Sequence, residues 1–322
     1  MNIVILDDYQ DVVRHLACFS LLKAHDVRVL TTSYATVDAL SEVIKDAEAL
    51  VLIRERTSIT EALLSKLPHL KIIAQTAKAG GHIDLHACWK HQVVVCDGKG
   101  SPIAPSELCW ALIMAASRHI VPYATNLSND IWQSSGTLGL GRTLSGLTLG
   151  IWGFGNIGQR VAQFGNVFGM KILVWGSEAS RANAKEHGFE AARSKADFFA
   201  SSDILSLHLK LTDTTKHCVT QTDLDSMKSD SLFVNISRAE LVEKGALYAS
   251  LKKAPSKCAA IDVFETEPAT SENEPLLALP NVLSTPHIGY VEQNNYENYF
   301  KIAFENVIAF VQGKPQNRVN TL

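Results

Sequence analysis

No stretch of this 322-residue chain stays apolar over the roughly 18 residues that a membrane-spanning helix needs. The best candidate, residues 108–116, runs straight into Ser117, Arg118 and His119. The opening MNIVILDDYQ has no basic cluster ahead of its apolar run and turns acidic at Asp7 and Asp8. It is expected to form a first strand and not a signal peptide, so a cytoplasmic protein without membrane association is anticipated. An excess of one charge is missing too: 30 Lys+Arg face 33 Asp+Glu, a formal net charge of -3. That balance gives no general field for phosphate backbones, and nucleic-acid binding is not expected. The six cysteines, Cys18, Cys88, Cys96, Cys109, Cys218 and Cys258, contain no Cys-x-x-Cys pair. A disulfide framework or zinc ribbon is therefore not expected, and buried thiols are. His82, His86 and His91 lack an acidic third ligand and any His-Glu-x-x-His pattern, so no metal is expected. With 19 Gly, 10 Pro and 46% hydrophobic residues, collagen-like and low-complexity chains drop out.

What the chain does have is alternation. Residues 3–6, 27–30, 49–53, 71–74 and 93–95 are short, Val/Ile/Leu-rich runs of the kind that strands buried on both faces require. Helical patterns at 10–24, 37–46 and 61–67 lie between them. Alternation of this kind predicts a parallel sheet flanked by helices. A Gly/Ser/Pro-bearing stretch, 97–102, breaks the pattern before a long helical candidate at 105–120. Residues 128–147, richer in Ser, Thr and Gly, read as a loop into a second unit. Its expected strands are 148–152, 171–175, 204–207, 232–235, 258–261 and 281–284. Helical stretches at 156–168, 181–187, 241–253 and 296–312 fill the gaps. The predicted fold is α/β, with two doubly wound parallel-sheet halves and a cleft between them.

Gly153-Phe154-Gly155-Asn156-Ile157-Gly158 is a Gly-x-Gly-x-x-Gly that follows an expected strand and opens an expected helix. In that context it reads as a dinucleotide turn. The first glycine permits the tight turn, the second lets backbone approach a pyrophosphate, and the third permits close helix–strand packing. Amides at the helix N-terminus then face the phosphates.

From this point the sequence resembles the D-isomer-specific 2-hydroxyacid dehydrogenases, the family of phosphoglycerate, glyoxylate and hydroxypyruvate enzymes. The resemblance rests on residues 153–158, 169–171, 235–238, 262–268 and 285–289, in order and at suitable spacing, with looser matches at 82–85 and 105–108. Hydride transfer between a 2-hydroxy acid and a nicotinamide needs a cationic fork for the carboxylate, a base for the hydroxyl, and a group holding that base. Arg238 suits the fork, because guanidinium matches carboxylate bidentately. His287 suits the base, because imidazole titrates near neutral pH. Glu267 suits the orienting anion. Taken singly, each is equally well a surface arginine, a loop acid or a core histidine; the family resemblance puts the three roles on these residues.

The resemblance further implies that Lys78, Ala79 and Gly80 form a turn holding the substrate carboxylate. Arg54 either faces the same cleft or makes a surface ion pair. Asp262 matches the acid that holds the nicotinamide amide. His208 and the loop to Thr215 are expected along the cofactor, as are Ile236, Ser237 and Gly289. Two departures from the family pattern, Lys210 and Ala239, reshape the pocket without removing a reacting group. The implied organisation is a Rossmann-type NAD(P)-binding domain at 98–290 and a flavodoxin-like substrate domain formed by 1–97 with 291–322. A homodimer through the cofactor-binding half is implied too, and no regulatory domain is expected after Leu322.

NAD enzymes of this fold usually carry an acid at the end of the second strand. Here that position is Gly176, followed by Ser177, with Arg181 a turn later. This set favours NADP, whereas Glu178 offers a displaced carboxylate that restores NAD. The leading functional expectation is an NAD(P)-dependent reductase of small 2-ketoacids. The alternatives are a non-catalytic dinucleotide-sensing corepressor-like protein and a phosphite- or formate-type dehydrogenase.

Overall fold

The structure, a computed structural model, describes residues 1–320, which divide into two compact units. The first comprises Met1–Ser101 and the described part of Val291–Leu322; the second is Pro102–Tyr290.

The first unit holds a five-stranded sheet of β1 (Asn2–Ile5), β2 (Asp26–Val29), β3 (Ala49–Leu52), β4 (Ile72–Gln75) and β5 (Val94–Cys96). All pairs are parallel, in the order β2-β1-β3-β4-β5. That is the flavodoxin-like order, with its switch point between β1 and β3. Its helices are α1 (Val37–Ile44), α2 (Glu61–Leu64) and α3 (Leu85–Lys90), each opened by a side-chain cap from Thr36, Thr60 or Asp84. Ile3, Ile5, Leu50 and Leu52 are fully buried, and each stabilises the unit by roughly 1.5–3 kcal/mol relative to an exposed side chain.

The second unit opens with α4 (Ile103–Ser117) and α5 (Ile120–Leu127). Seven parallel strands follow: β6 (Thr148–Trp152), β7 (Lys171–Trp175), β8 (Glu190–Ala191), β9 (Ile204–Leu207), β10 (Leu232–Asn235), β11 (Cys258–Ile261) and β12 (Val282–Ser284). Between them run α6 (Asn156–Val167), α7 (Glu178–Glu186), α8 (Lys195–Ser201), α9 (Gln221–Ser226) and α10 (Ala246–Lys253). The order β12-β11-β10-β9-β6-β7-β8 reverses direction at β6, which puts the topological switch between β6 and β9. The last helix, α11 (Gln293–Val311), is capped by Glu292 and lies on β3 and β4 of the first sheet.

Three expectations need correction. Residues 10–24 form no α-helix but two 3-10 turns, Val13–His15 and Ala17–Leu22. The Asp8 carboxylate accepts from the Val13 amide, Asp11 is left-handed, and Leu16 is extended. Glu297, far along the chain, accepts from the Ala17 and Cys18 amides and holds the second turn in place. The expected helix 105–120 starts earlier and ends at Ser117; a left-handed His119 breaks it before α5. The expected helix 241–253 begins only at Ala246, after a left-handed Gly245, while α3, α5, α8, α9 and the two-residue β8 lie outside the expected elements, being too short to carry a periodic signal.

Candidate active site

Strand register explains where the chemistry collects. Trp175, Trp152, Leu207, Asn235, Ile261 and Ser284 are paired in one row across the second sheet. One residue beyond that row stand Gly176, Gly153, His208, Ile236, Asp262 and Thr285. The carboxyl edge of a parallel sheet is where open α/β folds bind ligands, and most of the sequence-derived candidates fall on it.

His287 follows β12 by three residues and is left-handed, with φ at 52°. A non-glycine residue held there needs over-determination by its surroundings. Asp262 supplies much of it: this fully buried carboxylate accepts from the Thr285 hydroxyl at 2.6 Å and from the Ile288 and Gly289 amides at 2.8 Å each. Burial raises the Asp262 pKa, against the pull of these hydrogen bonds and of His287. Asp262 thus clamps the chain on both sides of the imidazole.

The ring itself lies 2.7 Å, Nδ1 to Oε2, from Glu267, and stacks edge-on against Tyr290 at 5.6 Å. The other Glu267 oxygen accepts from the Phe264 amide at 3.0 Å. Burial works against ionisation of Glu267, but the His287 hydrogen bond and charge, the Phe264 amide and Arg238 together hold its pKa below the usual carboxylate range. Arg238 leaves β10 through a turn that Asn235 ties down, accepting from the Ser237 amide and donating to the Arg238 carbonyl, both at 2.9 Å. Its Nη1 donates to the Ser237 carbonyl at 2.6 Å, and the Ser237 hydroxyl donates to Leu207 at the end of β9. Arg238, Glu267 and His287 are therefore gathered at one edge of one unit.

The glycine turn fits a dinucleotide. Gly153 is left-handed at φ 97°, and a Cβ there would stand 2.5 Å from the His208 carbonyl oxygen. A Cβ on Gly158 would stand 2.1 Å from the Gly153 oxygen, so only glycine permits this helix–strand approach. Gly155, the N-cap of α6, faces open space, leaving room for a phosphate beside the amides of Asn156 and Ile157. Phe154 points away and is buried against His187 and Phe189. At the next junction Gly176 is followed by Ser177, which caps α7 by accepting from the Ser180 amide. Arg181 lies over the Trp175 ring at 5.0 Å, and its Nε is buried without a partner among the described residues. Glu178 is exposed in the first turn of α7. Thr215 is absorbed by its own loop, donating to the Lys210 carbonyl at 2.6 Å and accepting from the Thr212 amide at 2.8 Å.

Arg54 and the 78–80 turn lie beyond β3 and β4 of the first unit. Arg54 is left-handed, its backbone held by Thr76 and Gln75, and its guanidinium lies 3.6 Å from Glu55. The Ala79 amide is already committed: it donates to Asp97 at 2.6 Å, and Lys78 pairs with the same carboxylate at 3.3 Å. Asp97 was missed by sequence reading, since nothing local couples it to residue 79. Among the described residues no cluster of three or more His, Cys, Asp or Glu is placed to hold a metal, and all six cysteines are free thiols.

A sheet of this order, turned at β6 by a glycine loop and edged by an arginine, a glutamate and a histidine, is that of a dinucleotide-binding oxidoreductase. Residues 110–289 match the profile described as D-isomer specific 2-hydroxyacid dehydrogenase, NAD binding domain, and the chain belongs to that family. It is 39% identical to a glyoxylate reductase from Aeropyrum pernix over 80% of this chain and 78% of that protein. It is 33% identical to a hydroxypyruvate reductase from Thermotoga maritima, over 81% and 83% of the two chains. A solved structure, a phosphoglycerate oxidoreductase from Vibrio cholerae o395, is 60% identical with a TM-score of 0.96, covering 97% of this chain and 99% of that one.

Proposed function

We propose that the chain reduces small 2-ketoacids of the glyoxylate and hydroxypyruvate type to D-2-hydroxy acids, with NADPH preferred over NADH. The observation that carries this reading is the 2.7 Å contact between His287 and Glu267 at the edge that also bears Arg238. Bound dinucleotide supplies the hydride. Arg238 holds the substrate carboxylate as a fork, and the face of His287 away from Glu267 delivers the proton to the carbonyl oxygen. Glu267 favours the imidazolium that donates it and fixes the ring. The family resemblance supports Arg54, Lys78, Ala79 and Gly80 as substrate-binding residues; Asp262 keeps acceptor capacity for the nicotinamide amide. The names of the relatives support the substrate class without choosing within it.

The preference for NADPH rests on the second strand. Gly176 places no acid against a 2′-phosphate, Ser177 stands at the helix start, and Arg181 is pre-positioned on Trp175. Steady-state kinetics on a panel of 2-ketoacids with both cofactors test the whole reading. We expect turnover of glyoxylate or hydroxypyruvate, with kcat/KM about tenfold or more higher for NADPH. An about tenfold preference for NADH would mean that Glu178 reaches the ribose and would overturn the cofactor assignment.

We also propose a homodimer through the second unit. Ile120, Val121, Leu127 and Ile131 on and after α5 are exposed, as are Trp132 at 74% and Leu140 at 92%. An apolar patch of this kind on one unit calls for a covering surface. Sedimentation at micromolar concentration is expected to give a dimer, and a monomer there would refute it. Free thiols throughout suit a reducing compartment, and the cytoplasm is the proposed one.

A further inference from the structure

Ser206 and His208 stand two residues apart at the end of β9, so their side chains fall on one face of the sheet. Helix α4 brings Cys109 onto the same face. The Ser206 hydroxyl lies 3.0 Å from His208 Nε2 and 3.4 Å from Cys109 Sγ. Ser206 and Cys109 are fully buried.

Acceptor strength favours one assignment of the hydrogens in this row. Burial pushes the Cys109 thiol up to about 12, so it keeps its proton. Burial also drives His208 down to about 3, so the ring is neutral and carries one N–H. Ser206 has one hydrogen to give, and an imidazole nitrogen is a far better acceptor than a thiol sulfur. The hydroxyl therefore donates to Nε2, and the thiol donates to the hydroxyl oxygen. A neutral ring that accepts at Nε2 carries its hydrogen at Nδ1.

That Nδ1 is buried and has no hydrogen-bond partner among the described residues. An orphaned buried donor costs about 1–3 kcal/mol, and a folded protein seldom keeps one without a use. The surroundings indicate the use. The His208 carbonyl is the atom that packs against Gly153, and the His208 amide donates to Trp152 at 2.8 Å. His208 is thus built into the rim of the glycine turn, at the topological switch.

We propose that Cys109, Ser206 and His208 form a relay that fixes the histidine tautomer and presents Nδ1–H, as an uncharged donor, to an oxygen of the bound dinucleotide. His208 is the binding residue; Ser206 and Cys109 are positioning residues that act through it. The relay rests on the dinucleotide reading of the glycine turn and adds the donor atom and the protons behind it.

The experiment uses the full-length protein labelled with 15N-histidine. Two-bond 1H–15N correlations report the His208 tautomer, and tryptophan quenching reports NADPH and NADH affinity. In the wild type without dinucleotide, we expect His208 as the Nδ1–H form, with its Nδ1 signal displaced when NADPH or NADH binds. Ser206→Ala should lose the fixed tautomer and weaken dinucleotide binding by about 5–10-fold, the loss of one buried hydrogen bond. Ser206→Thr retains the hydroxyl and should restore both readouts; Cys109→Ala removes the thiol donor behind Ser206 and should shift both readouts in the direction of Ser206→Ala, and an unchanged tautomer and affinity there would remove Cys109 from the relay. A wild-type proton on Nε2 would overturn the relay, as would a Ser206→Ala variant with unchanged tautomer and affinity. Dinucleotide binding with an unmoved Nδ1 signal would overturn the relay alone. Failure of the folded wild type to bind either dinucleotide would overturn the glycine-turn reading along with it.

Discussion

His287→Ala is expected to lower kcat by about 10²–10⁴ while dinucleotide affinity stays within about threefold of wild type. The size follows from the role: a positioned general acid–base typically contributes that factor. The near-constancy of affinity follows from geometry. The dinucleotide turn lies at β6, whereas His287 stands after β12, at the far end of the same carboxyl edge. His287 is left-handed, a conformation alanine tolerates poorly, so His287→Asn is the companion variant, because asparagine enters that region readily. Asp262 grips the chain on both sides of position 287, so the turn should survive either change. If both variants lose turnover alike, chemistry is the cause. Near-normal kcat in either one would remove His287 from the proton transfer.

The parts of the fold that were legible in the sequence are those whose physics is local. Residues 3–5 and Ala49–Leu52 had to be strands buried on both faces, because they are short, continuous and apolar, and they are buried throughout. The glycine turn was legible for the same reason, since close approach at Gly153 and Gly158 leaves no other residue possible. Contacts set by distant residues were not legible. Glu297 decides the shape of residues 17–22 from the other end of the chain. Asp97 occupies the Ala79 amide, across a span with no periodic link between them. His119 ends α4 through a left-handed backbone that its residue type permits but does not announce. The site divides along the same line. The family resemblance named Arg238, Glu267 and His287, while the clamp by Asp262 and the row from Cys109 to His208 depend on register and helix packing. A reader of the sequence could have noticed Ser206 two residues before His208; Cys109 required the fold.

For Arg238→Lys, kcat/KM toward glyoxylate and hydroxypyruvate is expected to fall by about 10–10²-fold, the equivalent of one charge-assisted hydrogen bond. Guanidinium offers five N–H donors in a planar fork, and Nη1 donates to the Ser237 carbonyl. That bond sets the plane of the fork, and the Asn235 side chain sets the backbone beneath it. An ammonium keeps the charge but neither the plane nor the paired donors, so a carboxylate is held at one point and not two. The retained charge makes the variant diagnostic. Arg238 is one of the groups that hold the Glu267 pKa low, and a lysine of the same sign preserves that influence. The acid–base pair should therefore keep its pH profile while the substrate is held less well, and dinucleotide affinity should not move. A shifted pH profile would mean that Arg238 works chiefly on Glu267. Kinetics within about threefold of wild type would mean that another cation holds the carboxylate, with Arg54 and Lys78 the first to substitute next.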